Sequence, residues 1–64
     1  MNKKIIIMDY ISNLIEKDKE LSNFDESYKS ISKSVVLRDI IKKFNLKHAD
    51  AYRYCSFFDF KNNG

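Results

Sequence analysis

Apolar residues recur at helical spacing along the first third of the chain. These positions are Ile7, Ile11, Leu14, Ile15 and Leu21, and most residues between them are polar or charged. Side chains three or four residues apart fall on one face of an α-helix, so the pattern describes a helix with one apolar side. We therefore expect a first helix from about residue 4 to residue 21.

A serine-rich polar stretch follows at residues 22–34. Such a composition is typical of a connection between helices. The apolar residues within this stretch and directly after it nevertheless keep a helical spacing, at Phe24, Tyr28, Ile31 and Val35. Because a loose loop of this length is unusual in a small domain, the pattern predicts one or two helical turns within residues 24–32.

Residues 34–58 predict two further helices joined by a sharp turn. Ser34 is suited to cap the first of them, since its hydroxyl can accept a hydrogen bond from a first-turn N–H. Asn45 is suited to the left-handed conformation that ends a helix. The later of these two helices is expected from about residue 48 to residue 58. The tail at residues 59–64 is expected to fray. The apolar faces of the two helices are Leu37, Ile40, Ile41 and Phe44, then Ala51, Tyr54, Cys55 and Phe58.

The composition favours a single helical domain over residues 1–64. The chain has no proline, and its only glycine is the last residue, Gly64, so no helix breaker interrupts the interior. An apolar fraction of 44% with four tyrosines and five phenylalanines is enough for a compact core. We expect an all-α, compact domain of three to four helices.

The same composition indicates a cytoplasmic protein that is not inserted in a membrane. Spanning a bilayer takes about 20 apolar residues, whereas the run at residues 5–8 ends at Asp9. The lone cysteine, Cys55, fits a reducing compartment.

The charge is distributed unevenly between the two halves of the chain. Residues 1–26 carry four lysines and six acidic residues, whereas residues 27–64 carry eight basic and three acidic residues. The excess of positive charge therefore lies in the second half, where an anionic partner would be expected to bind.

The segment LRDIIKKFNLKHADAYRYCSFF, residues 37–58, resembles the helix–turn–helix of small DNA-binding regulators of phage and plasmid type. The positions that match the family's core and turn are Phe44, Asn45, Leu46, Ala51 and Tyr54. The segment departs from the family at Ile41, where the family prefers alanine or glycine. No strand-forming sequence follows residue 60, so the resemblance is to a form without a wing.

The resemblance implies that the helix at residues 48–58 enters the major groove of double-stranded DNA and that the protein regulates transcription. The lysines would contact phosphates, and Arg53 is suited to bind a guanine edge through two hydrogen bonds. Asp50 would repel phosphate while favouring the helix dipole. The residues predicted to face DNA are Lys42, Lys43, Lys47, His48, Tyr52, Arg53 and Ser56.

Exposed aromatic residues favour an alternative function, binding to another protein. Phe57 and Phe60 cannot both point inward if Phe58 does, so at least one of them should mark a homodimer contact or a partner interface. A small inhibitor or interaction module that docks on a host protein, through these aromatics or through the first helix, would show the same pattern.

Catalysis and metal binding find little support. His48, Cys55 and Asp59 fall near one helical face but span about 16 Å, which is too far for one ion. A single histidine, a single cysteine and the lack of a glycine-rich loop provide no nucleophile–base pair. We therefore expect no enzymatic activity, no catalytic residue, no metal, no cofactor and no small-molecule ligand.

Overall fold

Three α-helices make up most of residues 2–62, the part of the chain that the computed structural model describes. Helix α1 spans Lys3–Phe24, α2 spans Lys33–Phe44 and α3 spans His48–Cys55. The expected all-α fold is confirmed, and within the described residues the extended pairing is limited to one isolated bridge between Ser32 and Asn62. The most extensive of the helix–helix contacts is between α2 and α3.

Helix α1 is longer than the sequence predicts at both ends. It begins at Lys3 because the Asn2 side chain accepts a hydrogen bond from the Lys4 N–H at 3.0 Å. At the other end, the N–H of Asp25 still bonds to the carbonyl of Leu21, so the helix continues to Phe24. Ile7 and Ile11 are fully buried and anchor this helix in the core.

The connection at residues 25–32 is not helical, so the predicted helical turns within 24–32 are wrong. Polar side chains use the backbone groups that a helix would need. The Asp25 carboxylate accepts hydrogen bonds from both the N–H and the hydroxyl of Ser27. Further along, the Ile31 N–H bonds to the carboxylate of Asp18 in α1. Phe24, the first residue of that predicted helical spacing, is instead the last residue of α1 and is 92% exposed.

Helix α2 begins earlier than expected and ends where expected. Its N-cap is Ser32 rather than Ser34, and the Ser32 hydroxyl accepts a hydrogen bond from the Val35 N–H at 3.2 Å. Asn45 ends the helix with φ 54° and ψ 55°, in the left-handed region. The N–H of Leu46 then bonds back to the carbonyl of Ile41, which closes the turn before α3.

Helix α3 ends at Cys55, three residues before the predicted end at Phe58. Beyond it, the N–H of Phe57 bonds to the carbonyl of Tyr54 and that of Phe58 to the carbonyl of Cys55. These tighter turns redirect the chain, so that Phe60 enters the core with only 9% of its surface exposed.

Residues 60–62 pack against the rest of the chain, so the prediction of a frayed tail is wrong for them. The carbonyl of Asn62 accepts a hydrogen bond from the Lys33 N–H at 2.9 Å. The Lys61 ammonium donates to the Ser22 hydroxyl at 3.0 Å. Burial of Phe60 and these bonds offset the loss of chain entropy that favours fraying. Residues 63 and 64 of the predicted tail lie outside the described residues.

All three helices and the tail contribute to one core. Tyr10 links α1 to α2 in two ways. Its hydroxyl donates a hydrogen bond to Asp39, and its ring packs edge-on against Phe44 with centroids 5.5 Å apart. Within residues 2–62, no helix has the combination of length and apolar character that crossing a membrane requires. The buried apolar residues are Ile7, Ile11, Val36, Ile40, Ala51, Cys55 and Phe60.

Candidate nucleic-acid interface

Helix α3 turns one face to the core and the opposite face to solvent. Ala51 and Cys55 are fully buried, so the helical repeat places Arg53 on the far side, next to the exposed Ser56. Tyr52 lies at the edge of this outer face and is 53% exposed. We call the surface formed by residues 47, 48, 52, 53 and 56 the α3 face.

Lys33 borders the α3 face on the side of α2. Its ammonium lies 4.6 Å from the centroid of the Tyr52 ring, within the range of a cation–π contact. Lys33 is the first residue of α2, and its backbone N–H is held by the tail through Asn62. Sequence reasoning missed this residue because it placed Lys33 in the connection, and no local signal relates it to Tyr52.

Lys4 borders the α3 face on the opposite side. Together with Asp50, Arg53, Tyr54 and Phe57 it lines a small cavity of about 110 Å³ between the start of α1 and the end of α3. The cavity therefore brings a lysine from α1 beside the arginine that the sequence predicts to contact DNA. Lys4 was also missed, because 49 positions separate it from Arg53 in the chain.

The amino end of α3 carries Lys47 as its N-cap residue, followed by His48, and both are exposed. No side-chain hydrogen bond caps this end. The positive end of the helix dipole is therefore open to an anion beside the Lys47 side chain. Asp50, in the first turn, is the acidic residue of this region, and its negative charge lowers the positive potential at the amino end of α3.

Ser56 has a local partner at the carboxyl end of α3. Its hydroxyl donates a hydrogen bond to the carbonyl of Arg53 at 2.6 Å. The bond satisfies a carbonyl that the end of the helix would otherwise leave open. The hydroxyl oxygen keeps its acceptor capacity toward solvent.

The structure separates Lys42 and Lys43 from the other five predicted residues. Both are exposed, but the ammonium of Lys43 lies 5.1 Å from the centroid of the Tyr10 ring in α1. Lys42 lies beside Val35 and Arg38 on the outer side of α2. The predicted set is therefore divided between the α3 face and a second surface on α2.

The two aromatic residues predicted for a partner interface differ in exposure. Phe57 is 60% exposed and borders the cavity next to Arg53. Phe60 is buried, so its assignment to an exposed interface is wrong. The chain bends after α3 and turns Phe60 inward, whereas a continuous helix would have left it outside.

Cys55 is buried beneath the α3 face. Burial raises the pKa of its thiol, and the positive charge of Lys33 opposes that rise only in part. The thiol therefore stays protonated at neutral pH and is a poor nucleophile. Among residues 2–62, no group of three histidine, cysteine or acidic side chains is placed to hold a metal ion.

Comparison of this chain with protein-family models, with curated proteins and with solved structures gives no match in any of the three.

Proposed function

We propose that this protein binds double-stranded DNA through the α3 face and acts as a small transcriptional regulator. The observation that carries the proposal is the position of Lys4 and Lys33 on opposite borders of this face. They come from the starts of two different helices, and Arg53 lies between them. A helix flanked by cations on both sides is the charge distribution that the two phosphate backbones of a major groove favour.

In this arrangement the side chains have distinct roles. Lys4, Lys33 and Lys47 neutralise phosphates and determine affinity, because such contacts release condensed counterions. Arg53 lies centrally on the α3 face and is suited to a guanine edge, a contact worth about 1–3 kcal/mol of discrimination. Tyr52, with its ring held under Lys33, donates its hydroxyl to a phosphate or packs on a sugar.

The first experiment measures binding of the full chain to a fluorescently labelled DNA duplex by anisotropy at several salt concentrations. With about three to four phosphates neutralised, the logarithm of the association constant should fall with the logarithm of salt with a slope of roughly −3 to −4. The absence of binding at about 50 mM salt would contradict the proposal, since the electrostatic contribution is strong there.

Two variants and a matched control locate the interface. Arg53→Ala and Lys33→Ala should each weaken binding. Lys33→Ala should also make the slope of the salt dependence shallower by about one, because one phosphate contact is lost. Lys19→Ala removes the same charge from an exposed position in α1 that lies outside the α3 face. Equal weakening in all three variants would mean that only the net charge of the protein matters, and the α3 face would then not be the binding site.

A second candidate function is docking on a partner protein through Phe57. The observation that favours it is the 60% exposure of this large aromatic side chain beside the cavity at the end of α3. Phe57→Ser should then abolish capture of a host protein by the tagged chain, while Phe24→Ser, at another exposed phenylalanine, should not. If both variants capture the same proteins as the unmodified chain, Phe57 is not a docking residue.

A further inference from the structure

The end of α1 presents an apolar projection to solvent. Phe24, its last residue, is 92% exposed, and Leu21, one turn earlier on the same side, is 40% exposed. The turn that follows holds the projection in place, because the Asp25 carboxylate bonds to both the N–H and the hydroxyl of Ser27. We call Leu21 and Phe24 the α1 knob.

The outer side of α2 carries an apolar depression of about 430 Å³, which we call the α2 groove. Val35 and Ile41 form its apolar surface, and Val35 is 45% exposed. Arg38 and Lys42 lie along it, one helical turn apart, and the Asp39 carboxylate beside them already accepts the hydroxyl of Tyr10. The volume is in the range of pockets that hold small organic ligands, roughly 300–1,000 Å³.

The net charges around the knob and the groove are opposite. Glu20, one helical turn before Phe24, and Asp25 and Glu26, directly after it, are all exposed. Two lysines also lie nearby: Lys17 is one helical turn before Leu21 on the same side of α1, and the ammonium of Lys61 donates a hydrogen bond to the Ser22 hydroxyl at 3.0 Å. The α2 groove is bordered by the guanidinium of Arg38, the ammonium of Lys42 and the carboxylate of Asp39. The apolar knob thus has three acidic neighbours against two basic ones, and the apolar groove two basic neighbours against one acidic one, so their net charges are opposite and one chain carries both.

From this match we propose that two copies of the chain associate, with the α1 knob of one copy in the α2 groove of the other. Phe24 lies between Val35 and Ile41, and the acidic residues beside it pair with Arg38 and Lys42. A reciprocal exchange of knobs closes the assembly as a dimer, whereas a one-way contact extends it into a chain. The contact uses none of the residues of the α3 face, so each copy keeps that face exposed.

The primary test is sedimentation equilibrium of the full chain over a series of concentrations at low salt. Association should raise the apparent mass above the 7.6 kDa of a single chain, and higher salt should weaken it because charge pairs contribute. Phe24→Ser should weaken association at least tenfold, without loss of helical circular dichroism, since the side chain is exposed. Phe57→Ser is the matched control and should leave the association unchanged.

A charge exchange tests the pairing itself. Arg38→Glu and Glu20→Arg should each weaken association, because each places like charges across the contact. The double variant that carries both changes should recover it, which a loss of stability would not explain. Arg53→Glu reverses the only other arginine of the chain and should have little effect.

Three outcomes would overturn the proposal. They are a single-chain mass at every concentration, an unchanged association in Phe24→Ser, and dissociation caused by Phe57→Ser but not by Phe24→Ser. The last result would assign the contact to the end of α3. DNA binding is measured below the concentration at which association begins, so the two proposals can fail independently.

Discussion

Asp18 is the residue that organises the connection between α1 and α2. It is only 7% exposed. Its carboxylate accepts hydrogen bonds from the Tyr28 hydroxyl at 2.7 Å and the Ile31 N–H at 2.8 Å. Burial raises the pKa of Asp18, but these bonds, a further one from Ser30 and the charge of Lys61 outweigh it, so the pKa lies below its ordinary value.

We expect Asp18→Ala to lower the free energy of unfolding at neutral pH by about 1–3 kcal/mol, because the Ile31 N–H loses its partner. Since the folded pKa is depressed, the carboxylate contributes its full stabilisation above about pH 4, the ordinary range of an unfolded aspartate. That contribution disappears as the pH falls through the folded value. Urea unfolding at several pH values measures both effects.

The matched control is Asp9→Ala, at an exposed aspartate of the same helix. It should change stability by less than about 0.5 kcal/mol. A stability difference between the unmodified chain and Asp18→Ala that stays constant down to strongly acidic pH would show that the charge of Asp18 does not stabilise the fold.

Among the elements, the turn between α2 and α3 depends on one backbone conformation. Asn45 adopts φ 54°, and no other non-glycine residue among those described has a positive φ. A side chain with a Cβ and no polar group to compensate costs about 1–2 kcal/mol in this conformation. Because this turn joins α2 to α3, its geometry determines the direction in which α3 leaves α2 and therefore where the α3 face points.

We therefore expect Asn45→Ala to destabilise the protein by about 1–2 kcal/mol and Asn45→Gly to be neutral or stabilising. Asn23→Ala, in the last turn of α1 where the backbone is helical, is the control and should be neutral or slightly stabilising. Thermal unfolding followed by circular dichroism measures all three. If alanine at position 45 is tolerated as well as glycine, the left-handed conformation does not limit stability.

At the scale of α3, Asp50 affects stability and the proposed DNA binding in opposite directions. It lies in the first turn of the helix, where a negative charge interacts with the positive end of the dipole and stabilises the helix by about 0.3–1 kcal/mol. It also lines the cavity that contains Lys4 and Arg53, and so it lowers the positive potential of the α3 face.

Asp50→Asn should therefore bind DNA severalfold more tightly while it loses a few tenths of a kcal/mol in stability. Anisotropy titrations and urea unfolding measure the two effects separately. Glu16→Gln removes the same charge from an exposed position in α1, and it should change the affinity less. Weaker binding by Asp50→Asn would count against the α3 face as the DNA-binding surface.

At the scale of the whole molecule, the tail completes the core. A chain of 64 residues buries only roughly 60% of its unfolded surface, so each large buried side chain carries a substantial part of the stability. Phe60 is the largest side chain among the buried apolar residues, and it comes from outside the three helices. The Asn62 carbonyl then joins the tail to the start of α2 through the N–H of Lys33.

We expect Phe60→Ala to cost about 3–5 kcal/mol, which is enough to unfold much of a small domain. Phe60→Leu keeps part of the buried surface and should show a smaller loss in the same direction. Phe57→Ala, at an exposed phenylalanine three residues earlier, should change stability by less than about 0.5 kcal/mol. Urea unfolding of the three variants would contradict this role for the tail if Phe60 and Phe57 proved equally tolerant.

The sequence by itself determined the helical class, much of the buried face of each helix and the turn at Asn45. Ile7, Ile11, Ile40, Ala51 and Cys55 were all expected to face inward, and all are fully buried. Leu21 was expected to face inward but is 40% exposed, and the fully buried Val36 was not among the predicted positions. The reason is that periodicity and helix-ending conformations are properties of a few neighbouring residues, which any short window of sequence contains. The exposure of Arg53 and Ser56 on the α3 face follows from the same periodicity.

Only the tertiary structure decided the features that depend on residues far apart in the chain. Asp18 holds Ile31 out of a helix, and Lys33 lies over Tyr52. The buried Phe60 turned a predicted loose tail into part of the core. None of these contacts leaves a local pattern, because each depends on how the helices pack and on which polar groups they leave without partners. The borders of the candidate interface were therefore set by packing, whereas its central helix was set by sequence.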